Sequence, residues 1–372
     1  MSRKIALIAA TLVSGYSAHA MAYEFGPSSM FSVNGFGTLG AVHSNLERAD
    51  FTAMYLQPDG AGYNHKWSPE VDSVFGLQGA ANYGKWKFIV QGVTRQTAHD
   101  NYTPSIDWAN VRYAVTEKFA IRAGRFAMPT YLFSDTRLVR YAMTAVRPSV
   151  EVYRLLPVTT ADGVDLSYKF KTGPVGHTIR TMYGKNTTDL SNVTYARNTD
   201  NYAVIDDMDF GDFTIHAAFQ KRKFAVVREA PPLTTTNTQH YKVADLGVNY
   251  DNGKQFVMVE LVRTWLARPE LSASSIAYVV NGGQRFGKFT PYVQFGKLDP
   301  VQNTLLSGAR APASNTMTAG LRWDFRTNFA LKAQYDRAEA ENGGRGTFIN
   351  GQSDFPVNSS ADVISVSLDF VI

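Results

Sequence analysis

The chain closes on Ile364-Ser365-Val366-Ser367-Leu368-Asp369-Phe370-Val371-Ile372, a strand pattern that runs to the last residue. Ile364, Val366, Leu368, Phe370 and Ile372 share one parity, while Ser365, Ser367 and Asp369 fall on the other. Successive side chains of a strand point to opposite faces, so one face is apolar and the other polar. Terminal residues usually fray unless something ties them down. A closed sheet does this, because its last strand pairs with its first and no edge remains.

The other end carries an export signal. Arg3 and Lys4 precede the short apolar run Ile5 to Val13, and Ser17-Ala18-His19-Ala20 places small residues where a signal peptidase cuts. The run of about nine residues is too short to span a bilayer. Residues 1–20 are therefore expected to be a removable signal and 21–372 a single domain, with Ala22 the alternative cleavage point. Removing Arg3 and Lys4 leaves 35 basic against 32 acidic residues, a net charge of +3, too small to indicate a nucleic-acid binder. No other stretch approaches the roughly 18 apolar residues of a membrane helix. Cysteine is absent, which excludes disulfides and thiolate chemistry. Aromatics at 13%, chiefly Tyr and Phe, suit a lipid-facing band bordered by aromatic girdles.

Parity along the chain predicts an all-β fold, a transmembrane antiparallel β-barrel of sixteen strands. Phe31 to Val42 comes first, with Phe31, Val33 and Leu39 facing one way and Ser32, Asn34 and Thr38 the other. Seven tight hairpins follow: 72–83 with 85–96, 106–115 with 118–127, 162–170 with 175–184, 202–210 with 213–221, 241–250 with 255–264, 275–286 with 289–298, and 316–325 with 329–337. Asp362 to Ile372 completes the set. Turns such as Asp251-Asn252-Gly253 are strong hairpin signals. Seven connections are short, and eight run from about nine to about thirty-four residues, the segregation expected of periplasmic turns and extracellular loops.

The longest connection is Met128 to Ala161, rich in Leu, Val, Tyr and Phe. A loop of that length is uncommon unless functional, and a sixteen-stranded lumen is too wide for side chains alone to fill. The loop is therefore expected inside the barrel, with a position over the mouth as the alternative. Strand number, strand-to-loop rhythm, the Gly124-Arg125-Phe126-x-x-Pro129 start of the third loop, Ser134-Asp135 and the alternating C-terminal strand resemble the sixteen-stranded Gram-negative outer-membrane porins over essentially the whole mature chain. The resemblance implies a constriction formed by the third loop and assembly as a homotrimer. Two features depart from it: the chain ends Phe370-Val371-Ile372, not on an aromatic residue, and an acidic Pro-Glu-Phe-Gly-Gly type motif is missing.

Parity aims Lys87, Arg95, Arg112, Arg122, Arg180, Arg322 and Lys332 inward, with Asp165, Asp245, Asp324 and Asp336. Arg112 and Arg122 are nearly equidistant from the turn at Glu117 and should sit side by side. In the third loop Arg137, Arg140, Arg147 and Arg154 outnumber Asp135 and Glu151. Basic rings select anions, so Lys87, Arg95, Arg112, Arg122, Asp135, Arg137, Arg140, Arg147, Glu151, Arg180 and Arg322 are the expected pore-lining or constriction residues. The competing expectation is that several arginines pin the loop to the wall through bidentate pairs. Arg125 breaks parity, through a bulge at Gly124 or a pair with Asp135.

Other motifs carry less. Gly35-Phe36-Gly37-Thr38-Leu39-Gly40 matches a dinucleotide fingerprint but lies inside the first strand, where glycines instead permit bending or close packing. The seven histidines include no H-x-H or H-E-x-x-H pair, so no metal or other cofactor is expected, and no catalytic Ser/His/Asp set is evident. His216 is expected to be a wet wall residue. The functional expectation is a non-enzymatic outer-membrane pore passing small hydrophilic solutes and ions with a weak anion preference. Membrane lipid and lipopolysaccharide would surround it. The alternative is a channel selective for phosphate or an organic acid, and a hydrolase or adhesin is a distant third.

Overall fold

Sixteen antiparallel strands join into one ring. The computed structural model describes residues 23–25, 30–156, 158–230, 233–268, 273–305 and 307–372, so the expected signal segment 1–20 lies outside the described residues. The strands are β1 (Phe31–Ser44), β2 (Val74–Tyr83), β3 (Trp86–Arg95), β4 (Ser105–Ala114), β5 (Phe119–Ala127), β6 (Thr160–Thr172), β7 (Val175–Ser191) and β8 (Thr194–Phe210), then β9 (Phe213–Ala230), β10 (Leu233–Asp251), β11 (Gln255–Leu266), β12 (Ser275–Gln284), β13 (Phe289–Pro300), β14 (Ser314–Arg326), β15 (Phe329–Ala340) and β16 (Ser360–Val371). Each pairs with its sequence neighbours, and β16 returns to β1 in the register Leu39↔Leu368 and Val42↔Ser365. Closure removes the edge, as the C-terminal alternation requires. Three residues before β1, Tyr23–Phe25, fold back along it.

The two faces of the wall follow from parity. Leu39, Leu77, Val90, Val204, Leu246, Val293 and Ile364 are exposed, whereas Ser365, Ser367 and Asp369 on the opposite face of β16 are fully buried. An exposed apolar outer surface is the signature of a barrel that faces lipid. Aromatic rings collect beside the short turns: Trp86 on Tyr113 (4.5 Å), Phe213 on Tyr250 (4.9 Å), Phe289 on Trp323 (5.8 Å) and Phe329 on Phe370 (6.1 Å). They form a girdle at one rim. Gly35 and Gly37 occupy the closing seam, where a Cβ would come within 2.8 Å of Ile372 and 2.5 Å of Phe370, so close packing accounts for these glycines.

Two expected loops are strand instead. Residues 185–191 and 194–201 continue the ladder of β7 with β8, and 222–230 and 233–240 that of β9 with β10, giving strands of 17, 17, 18 and 19 residues. About ten residues suffice to cross a membrane. Beyond that height the outward face no longer meets lipid, so Lys185, Thr187 and Asp189 point out and the apolar parity signal disappears. Asn198 still donates to Asn186 across the ladder (2.8 Å). At the opposite side the first loop (45–73) and the last (341–359) share an apolar cluster of Leu46, Ala49, Phe51, Ala61, Val71 and Phe355.

Candidate functional site

The segment between β5 and β6 is anchored to wall side chains of the inward parity. Leu132 N–H donates to Glu260 (2.7 Å), Val146 N–H to Gln334 (3.0 Å) and Thr130 Oγ1 to Gln220 (2.8 Å). Lys332 Nζ donates to the carbonyls of Arg140 (2.8 Å) and Ala145 (3.0 Å), and Arg322 to those of Tyr141 and Met143 (2.7 Å each). These bonds satisfy backbone groups of a loop that has no sheet partner. Its α-helical turn, α1 (Val150–Tyr153), packs with Tyr131 and Leu156 onto Val243, Met258, Val262, Ala277, Val279 and Leu298. Two wall positions must be glycine for the fit. A Cβ at Gly296 would lie 2.5 Å from Glu151 Oε2, and one at Gly247 2.9 Å from Leu132 Cβ.

The loop's charged residues separate into two groups. Arg147 is buried and bidentate to Asp72 (2.9 and 2.6 Å), with Asp336 at 2.7 Å and Ser365 also accepting. These two carboxylates hold its guanidinium well above the ordinary arginine range despite burial. Glu151 accepts from Ser149 (2.8 Å) and Thr316 (2.5 Å), and burial pushes its carboxyl up. Arg154 reaches Thr52 Oγ1 in the first loop (2.8 Å), and Arg140 is buried, its guanidinium pulled down by desolvation to about 10. Asp135 and Arg137 instead lie on the part of the loop that turns toward β3, β4 and β7. Arg137 loses hydration there beside Arg95 and is drawn down to about 9, still protonated at neutral pH.

The facing wall carries the unbalanced charge. Lys87, Arg112 and Arg122 are adjacent across β3, β4 and β5 in one cross-strand row, and Asp165 follows on β6. Arg122 donates to Asp165 (3.1 Å) and stacks on Phe126. Among the described residues, Lys87 and Arg112 have no ion-pair partner, and both remain partly accessible. Arg180 bridges Asp135 of the loop (3.2 Å) and Asp207 of β8 (2.9 Å). Arg95 lies 3.9 Å from Asp107. Arg95 and Arg137 line a cavity of ≈ 380 Å³ that opens between the long connections, with Met54, Gln96, His99 and Asp189 around it. Arg322 pairs with Asp324 (2.8 Å) as well as holding the loop, and Arg125 pairs with Asp162 (2.7 and 2.9 Å) while Gly124 takes a positive φ of 119°.

Sixteen closed strands with a long, wall-bound third connection decide the fold comparison. No protein-family model matches the sequence, and no curated protein matches it in sequence. Solved structures do match. OmpT of Vibrio cholerae superposes with a TM-score of 0.59 at 13% identity, over 94% of this chain and 100% of that one. The anion-selective porin from Comamonas acidovorans gives 0.57 at 12%, over 92% and 99%. The outer-membrane channel DcaP of Acinetobacter baumannii gives 0.59 at 10%, over 93% and 99%. The chain has the porin fold. At these identities the porin fold is shared while side chains are not, so the charges of this wall stand on their own geometry.

One constellation escaped the sequence reading. His216 is buried, not wet: its Nδ1 lies 2.6 Å from Asp207, its Nε2 lies 3.7 Å from Asp245, and Thr130 of the loop covers it. Its burial depends on the loop's path, which parity along one strand does not reveal.

Proposed function

We propose that this protein is an outer-membrane channel through which small hydrophilic solutes and ions diffuse, with a preference for anions. The observation that carries the reading is the row Lys87–Arg112–Arg122, three cations facing a single acid. In a water-filled passage such a row attracts anions, and screening over about 8 Å at physiological salt leaves the field strong only near the wall. The third loop lies within the barrel, packed mainly on β10–β13 and reaching Phe36, Val74 and Val93 through Leu138, Val139 and Tyr141, and the passage runs beside the basic row of β3–β5. Lys87, Arg95, Arg112, Arg122, Asp135, Arg137 and Arg180 line it. Arg147, Glu151 and Arg322 anchor the loop through their side chains, and Arg140 does so through its carbonyl, which accepts from Lys332.

The chain acts in the outer membrane, as its neighbours in fold do, and works as a homotrimer; the Vibrio protein has a structure in a trimer form. A second reading has one specific support. Arg95 and Arg137 at the ≈ 380 Å³ cavity could hold a phosphate or small organic acid, which would make the passage selective. Planar-bilayer recording under a salt gradient tests both. An anion-leaning reversal potential that moves toward cations in Lys87→Glu/Arg112→Glu supports the diffusion channel. Current that saturates with phosphate or an organic acid, and recovers in Arg137→Ala, supports the selective one. Absence of current from folded protein rejects both.

A further inference from the structure

The first loop and the end of β3 bring together groups that neither the passage nor the loop anchors use. Asp59, His65 and Glu70 present one ligand atom each, all within 4.8 Å of one another. Gln96 sits behind them with its side chain buried. Its Nε2 lies 2.7 Å from Asp59, 3.0 Å from Glu70 and 3.2 Å from Asp100. An amide nitrogen has two hydrogens and cannot serve three carboxylates. The amide oxygen Oε1, bonded to the same carbon, is buried with no partner. His65 Nε2 is 3.7 Å from Asp59, and among the described residues no lysine or arginine forms an ion pair with Asp59, Glu70 or Asp100.

We propose that Asp59, His65 and Glu70, backed by the Gln96 amide, bind a divalent transition-metal ion where the first loop meets the end of β3. Three carboxylates around one neutral amide repel one another, and a dication removes that repulsion. The Gln96 amide cannot balance this cluster, since its nitrogen is shared among three carboxylates and its oxygen is buried without a partner. One imidazole nitrogen among carboxylate oxygens favours Zn²⁺ or Mn²⁺ over Ca²⁺, which takes oxygen ligands alone. The ligands are positioned from both sides. Gln57 Nε2 donates to the Glu70 and Val71 carbonyls (3.1 and 3.0 Å), and Gly62 N–H to the His65 carbonyl (2.7 Å). Gln96 also lines the ≈ 380 Å³ cavity, so a bound ion would add positive charge beside Arg95 and Arg137. That consequence rests on the channel reading; the binding does not.

Calorimetry on the purified, chelator-treated full chain in detergent tests the site with Zn²⁺, Mn²⁺ and Ca²⁺ as probes. One Zn²⁺ or Mn²⁺ per chain is expected, weakened about tenfold or more by His65→Ala and by Glu70→Gln, and about 10–100-fold by Gln96→Ala. Heat-modifiable mobility on gels shows that each variant is folded. No saturable uptake of Zn²⁺ or Mn²⁺, or unchanged affinity in folded His65→Ala and Glu70→Gln, overturns the proposal. So does Ca²⁺ binding as tightly as Zn²⁺ and indifferently to His65→Ala. A site that binds in a protein passing no current would leave this inference standing and remove the channel reading.

Discussion

Replacing Arg147 by Met should unfasten the third loop more than any other single change. The guanidinium sits between Asp72 and Asp336, whose side chains are 0% and 3% exposed, and is itself 3% exposed. Methionine fills much of the space but removes the one cation bonded to both carboxylates, leaving Asp72 only the through-space field of Arg140. Removing one partner of a buried pair costs about 3–5 kcal/mol, mostly because the charge left behind is uncompensated. Asp336 retains donors in Thr318 (2.7 Å) and Gln334 (2.8 Å), so the cost falls mainly on Asp72 and the total should stay within that range and not double. Urea unfolding in lipid vesicles, followed by tryptophan fluorescence, measures the loss. The triple change Arg147→Met/Asp72→Asn/Asp336→Asn should recover most of it, since neutral groups of similar shape replace the cluster. A loss below about 1 kcal/mol for Arg147→Met, or no recovery in the triple variant, would show that these charges are solvated and the argument wrong.

Three further outcomes follow from the same geometry. The buried Glu151 carboxyl has a folded pKa above its unfolded value, so its contribution is fully favourable below the usual carboxylate range and is lost as pH rises through the folded value. Glu151→Gln should therefore raise the urea midpoint at pH 7 and leave it unchanged near pH 4; equal effects at both would refute this. His99 donates to Asp189 Oδ2 (3.0 Å) and Asn192 Oδ1 (2.7 Å) at the tip of β7, and those bonds raise its pKa. This latch holds fully below about pH 6.5 and loosens as pH climbs through the raised value, so the protection factors at residues 97–101, with the intrinsic rise of amide exchange with pH divided out, should fall on going to pH 8 in the wild type but not in His99→Ala. Gly296→Ala drives a methyl into Glu151 and Ser149, and overpacking of this kind costs about 1–3 kcal/mol; a variant as stable as the wild type would mean that α1 sits elsewhere.

The barrel was legible because lipid imposes period-two alternation on every strand that crosses it. Phe31, Leu39, Trp86, Phe88 and Ile364 announce their faces, and Arg112 beside Arg122 followed from counting outward from one turn. The rising halves of β7–β10 were not legible, since water on both sides lets Thr187, Asp189 and Asn198 occupy either face. Nor was the division of the arginines. Arg147 and Arg137 look alike in sequence, and only the path of a loop with no internal period sets one between two carboxylates and the other beside Arg95. The Asp59, His65 and Glu70 cluster lies within the first loop, but its approach to Gln96 depends on how that loop folds onto the end of β3, which the spacing of the three residues does not encode.

The tall hairpins give the barrel a lopsided skyline. Strands of 17–19 residues exceed a ten-residue membrane crossing by about seven to nine, which at the usual rise and tilt lifts their ends roughly 20 Å higher than a ten-residue strand would reach. β2, β3 and β4 have ten residues each and stop far lower. On the proposed channel reading, the strand wall around the entrance is therefore taller on the β7–β10 side than on the β2–β4 side. On the β7–β10 flank the barrier is tall sheet, whereas on the β2–β4 flank it is made of loop residues alone, with Met54 and His99 beside Arg95, so a change in loop sequence can remodel one flank without touching the other.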